Sequence, residues 1–98
     1  MEKNIIKENK ILPIGTVCLL DGGKKRLMIT GYFPVKNEDG KKEQYDYMGC
    51  LYPEGILSFE KVILFNHNQI KNIYHLGLIN DKEEQLYIEE LDKINKEK

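Results

Sequence analysis

Turn-forming residues divide most of this chain into apolar runs of strand length. Leu12-Pro13-Ile14-Gly15 leads into Thr16-Val17-Cys18-Leu19-Leu20, and Asp21-Gly22-Gly23-Lys24 closes that run. Arg26-Leu27-Met28-Ile29-Thr30-Gly31-Tyr32-Phe33 ends at Pro34, and the polar tip Asn37-Glu38-Asp39-Gly40-Lys41-Lys42 precedes Gln44 to Leu51. Pro53-Glu54-Gly55 turns the chain again, and Asn66-His67-Asn68-Gln69 separates Lys61 to Phe65 from Ile70 to Leu78. Short runs rich in β-branched and aromatic residues, bounded by Gly, Pro, Asn and Asp, read as strands. The glycines supply the positive φ that tight hairpins require.

The runs differ in how they should be buried. Arg26 to Phe33 is apolar on both faces, which predicts a central strand, and Gly31 inside it predicts a bulge. In the third strand, Tyr45, Tyr47 and Gly49 share one face and Asp46, Met48 and Cys50 the other. Asn66 to Gln69 reads as a single 3₁₀ turn before a last strand. The C-terminal stretch changes period. Asp81 with Glu84 three residues on has the form of a capping box, and Tyr87, Ile88, Leu91 and Ile94 fall on one face. Glu89–Lys93 and Asp92–Lys96 are i,i+4 pairs on the opposite side. A helix is predicted over residues 82–95.

These elements predict a mainly β fold with a C-terminal helix, in the α+β class. The expected architecture is a small five-stranded antiparallel, SH3-like, partly open barrel, with the helix packed across one open end or edge. Residues 1–10 read as a frayed arm or short helix, 11–79 as the barrel and 80–98 as the amphipathic helix.

At 98 residues the chain supports one modest core. Its 15 basic and 16 acidic side chains leave a net charge of −1, so no overall field draws it to nucleic acid or anionic membrane. Arg26 is the only arginine, which weakens any phosphate- or guanine-reading role. No apolar stretch has the ~20 residues of a membrane span, and the N-terminus lacks a signal-peptide h-region, so a cytoplasmic location is expected. In that compartment Cys18 and Cys50 read as buried free thiols.

Reactive chemistry finds little support. Ser58, the only serine, lacks a nucleophile-elbow context. Cys50 sits mid-strand, where an inert buried thiol is the default. Cys18, Cys50, His67 and His75 have no close pair of the kind that marks a zinc site. Asp21-Gly22-Gly23-Lys24-Lys25 joins two strands, whereas a phosphate-binding loop opens a helix. No catalytic residue, metal ligand or cofactor is therefore assigned.

The tyrosines remain. With no tryptophan, some of the six must serve as core. Aromatics on a small barrel also grip peptides or stack bases. The densest cluster gives the candidate partner-binding residues Tyr45, Asp46, Tyr47, Tyr52, Pro53, Glu54 and Gly55. Glu54 stands out because a turn needs Pro53 and Gly55 but not an acid between them.

Leu12-Pro13-Ile14-Gly15-Thr16-Val17, Leu27-Met28-Ile29-Thr30-Gly31, Tyr45 to Gly55 and Phe65-Asn66-His67 together resemble the Gram-positive domain-of-unknown-function family DUF4176, over about residues 11–88. The resemblance implies products encoded beside type VII secretion genes and their LXG-type toxins. It implies an accessory role in toxin export, as an adaptor or chaperone that binds a toxin effector or a secretion component, with no enzyme activity. An immunity protein is a variant of that reading. Two other classes are carried beside it: a small-barrel nucleic-acid-binding protein, and a small enzyme using Cys50 or a His–acid pair.

Overall fold

The computed structural model describes residues 11–96; the arm at 1–10 and the last two residues lie outside the described residues. Among the described residues, seven strands and one helix follow in order: β1 (Val17–Leu20), β2 (Leu27–Tyr32), β3 (Val35–Glu38), β4 (Lys41–Gln44), β5 (Tyr47–Leu51), β6 (Ile63–Phe65), β7 (Ile70–His75) and α1 (Lys82–Lys96). Single 3₁₀ turns at Phe59–Lys61 and His67–Gln69 flank β6. The second of these is the turn expected between the last two strands. Asn66 and Gln69 close it as a reciprocal capping box.

The fold is mainly β with a C-terminal helix. Five strands form one antiparallel sheet in the order β6-β5-β2-β1-β7, so β2 is central, as its apolar content requires. The β2–β5 register shifts between Ile29 and Gly31, where the bulge was expected. The partly open barrel is realised as an open sheet with edges at β6 and β7; it is not closed into a barrel.

The polar tip at 37–42 is more than a turn. Its flanks pair as a separate ribbon, β3 with β4, exposed along both strands. Asp39 and Gly40 have φ of 54° and 77°, the paired positive values of a two-residue hairpin turn. This ribbon takes Gln44 out of the expected third strand, which begins at Tyr47.

The core lies on one face of the sheet. Cys18, Leu27, Ile29, Tyr47, Phe65, Ile70 and Ile73 pack there, and Leu12 from the lead-in segment closes it. Adjacent strand partners share a face, so Leu27 opposite Cys18 points inward and Met28 opposite Cys50 points outward. Both cysteines are free and buried.

α1 begins as expected, with the Glu84 N–H donating to Asp81 Oδ2 at 3.0 Å. Its apolar face is only partly covered. Leu91 is buried, but Leu86, Tyr87 and Ile94 are exposed. The helix meets the sheet at the end of β2, where the Tyr87 and Tyr32 ring centroids are 6.2 Å apart.

Burial pushes the Cys18 thiol from its ordinary 9.0 to about 11. Burial, then the Glu84 charge, pushes the Tyr32 hydroxyl from 10.0 to about 12. Both groups stay protonated in the fold after the unfolded chain has lost those protons. The stability these two groups contribute is therefore fully present below about pH 9 and falls progressively towards pH 12. Urea midpoints measured across this range should decline, and Tyr32→Phe should flatten the upper part of the decline. A midpoint unchanged to pH 11 would contradict this coupling.

Candidate functional site

Tyr45 to Gly55 does not form one surface. β5 occupies its middle, and at about 3.4 Å per residue Asp46 and Tyr52 stand roughly 20 Å apart along the strand. The segment is thereby divided into two ends and a flank.

At the N-terminal end, Asp46 and Tyr47 hold the fold together. Asp46 Oδ2 accepts the His67 N–H at 2.8 Å, and the Asp46 N–H donates to Asn66 Oδ1 at 3.0 Å. This reciprocal clamp joins the start of β5 to the turn after β6. Tyr47 is 1% exposed. Its hydroxyl accepts the Leu12 N–H at 3.1 Å and lies 2.7 Å from His67 Nδ1. Which of the two groups donates in this contact depends on the imidazole tautomer. Burial, the largest cause, raises the Tyr47 pKa and keeps the phenol neutral. Tyr32 completes the link by donating its hydroxyl to the Leu12 carbonyl at 2.8 Å. A cleft of about 340 Å³ lies alongside, lined by Ile11, Phe33, Asp46, Tyr47, His67 and Asp92 among others.

Tyr45 sits on the flank. Its hydroxyl donates to Glu43 Oε2 at 3.1 Å, and that bond, first among the causes, raises its pKa. It belongs to the surface of the β3–β4 ribbon.

The C-terminal end is exposed. The Gly55 N–H donates to the Leu51 carbonyl at 2.7 Å, and φ of 82° at Gly55 explains the glycine. Tyr52, Pro53 and Glu54 project from this turn. Glu54 pairs with Lys25 Nζ at 2.6 Å, and the hydrogen bond from Lys25 holds its carboxyl below the usual range. Beyond the turn, Ile56 and Leu57 are 55% and 61% exposed, and Phe59 is 92% exposed.

The profile of the family described as "Domain of unknown function (DUF4176)" matches residues 11–86. The chain belongs to this family. No curated protein and no solved structure matches it. The span shared with DUF4176 takes in all seven strands and the start of α1, so it includes both ends of the divided segment.

Of the sequence-derived candidates, Tyr52, Pro53 and Glu54 stand on the surface, Gly55 shapes their turn, and Asp46 and Tyr47 are joined to the core. Among the described residues, no group of three or more His, Cys, Asp and Glu side chains is placed to hold a metal ion. Sequence reasoning missed Ile56, Leu57 and Phe59. The available signal was an apolar run directly after a turn with no alternating partner strand. It also missed Arg26, whose guanidinium carbon lies 5.2 Å from the Tyr52 ring centroid.

Proposed function

We propose that this DUF4176 chain is a non-catalytic protein-binding accessory factor, an adaptor or chaperone in the cytoplasm, that holds an LXG-type toxin or a component of type VII secretion. One observation carries the reading. The turn at Pro53–Gly55 leads into a loop that presents Ile56, Leu57 and Phe59 to solvent, with Phe59 at 92% exposure. Three exposed large apolar side chains within four residues concentrate apolar surface in one loop, as protein-binding surfaces do. Family membership supports the secretion context, through the products that the sequence resemblance implies. Among the described residues no helix is long and apolar enough to cross a membrane.

Co-expression with an LXG-type toxin from the same genome tests this reading. The toxin should be retained by the wild-type chain, and its retention should fall about tenfold with the Leu57→Ser/Phe59→Ser pair. The two substitutions touch exposed side chains and should shift unfolding by no more than about 0.5 kcal/mol. A toxin that is not retained by the wild type, or is retained equally by the variant, would overturn it.

A further inference from the structure

A second cleft, of about 490 Å³, opens on the face of the sheet opposite the core. Val17 and Met28, cross-strand partners in β1 and β2, lie beneath it. Arg26, Tyr52, Tyr74 and His75 line it above. The Arg26 guanidinium carbon is 5.2 Å from the Tyr52 ring centroid and 5.7 Å from that of Tyr74. The placement is built by the backbone. The Tyr52 N–H donates to the Arg26 carbonyl at 2.9 Å, and Tyr74 stands on the edge strand β7, next to His75, which pairs with Val17. Two aromatic faces from separate elements thus hold the only arginine of the chain.

Among the described residues, that arginine has ring contacts but no ion pair or hydrogen bond from its side chain. The nearby acid, Glu54, pairs with Lys25 at 2.6 Å, and the Arg26 charge acts on it only as the last of several influences. Cation–π contact uses ring faces and leaves the forked N–H donors of a guanidinium able to grip a planar acceptor. Tyr52 and Tyr74, which line the cleft, each carry a hydroxyl able to donate. The apolar residues beneath are suited to an aliphatic group.

We infer that this cleft recognises a carboxylate flanked by an aliphatic side chain, presented by a protein partner. A phosphoryl dianion fits less well, because it is usually clasped by several cations or by a row of backbone N–H groups, and here one guanidinium and the His75 imidazole stand over Val17 and Met28. The inference deepens the protein-binding reading above and rests on it for the source of the carboxylate.

The test uses the full ¹⁵N-labelled chain and the peptide acetyl-Leu-Glu-Leu-amide, followed by NMR. The Arg26 side-chain N–H and the Val17 and His75 amides should shift saturably, with a dissociation constant of about 1 mM. The Gln counterpart should bind about tenfold more weakly, since it lacks the charge-assisted bond. Arg26→Gln should abolish the shifts. Arg26→Lys should weaken them, because an ammonium keeps the charge but loses the fork. Arg26 is exposed, so the remaining amide signals of each variant should stay in place. Absence of a saturable shift, equal binding of the two peptides, or unchanged binding by Arg26→Gln would overturn the inference. So would tighter saturation of the cleft by inorganic phosphate than by the peptide. The probe reports on the cleft alone, so a toxin that fails to co-purify leaves this result standing, and a silent cleft leaves the toxin result standing.

Discussion

Tyr47→Ala should lower stability by about 4 kcal/mol, in the range found when a large buried aromatic is truncated. In a domain of this size that corresponds to a fall of about 20 °C in Tm. The ring is 1% exposed and packs against Phe65 at 5.4 Å and Tyr32 at 6.2 Å between centroids. Removing it empties the middle of the core. Tyr47→Phe separates the ring from the hydroxyl. It keeps the packing but leaves the buried Leu12 N–H and His67 Nδ1 without their shared partner, at a cost of about 2 kcal/mol. Urea denaturation of the three proteins measures both steps. If Tyr47→Phe were as stable as the wild type, the hydroxyl link would have no part in holding the lead-in segment to the sheet.

Gly77→Ala should cost about 3 kcal/mol, at the upper end of what overpacking produces. A Cβ at this position would collide with the Ile14 carbonyl oxygen and would stand 3.2 Å from the Thr16 nitrogen. Both obstacles are backbone atoms, so no side chain can swing away. The Gly77 N–H also donates to the buried Thr16 Oγ1 at 3.1 Å, which fixes the approach of the two segments. The penalty is one of space, since Gly77 does not lie in the left-handed region. Gly22→Ala is the contrasting control. Gly22 has φ of +77° and open space around its would-be Cβ, so it should lose only the conformational term, about 1 kcal/mol. Equal unfolding midpoints for the two alanine variants would refute the close-approach account.

Much of the fold was legible because turn chemistry and strand period are local. Gly31 marked a bulge, Asn66–Gln69 a 3₁₀ turn, and Asp81 with Glu84 a helix start, each through bonds that span only a few residues. The ribbon at 35–44 was less legible, since its two strands are exposed and carry no apolar alternation to betray pairing. Openness of the sheet depends on whether β6 and β7 meet, a long-range outcome with no local signature. The candidate segment failed in an instructive way. Tyr45 to Gly55 is contiguous in sequence, yet a strand carries its ends apart, so Asp46 and Tyr47 join the core and Tyr52 joins an arginine from the β1–β2 connection. Arg26 and Tyr74 are 48 positions apart, and only the sheet order brings them together.

The two edges of the sheet bear on how this chain associates. β6 has three residues between two 3₁₀ turns, and β7 meets β1 through two register shifts and carries Lys71 and Asn72 outward. Neither offers the long, flat row of unpaired amides on which foreign strands stack. Strand addition is thereby disfavoured at both edges of this sheet, although Phe59 stands in water. Association through side chains, by contrast, saturates at a fixed stoichiometry. An exposed apolar loop beside short or irregular sheet edges therefore favours side-chain association over strand stacking.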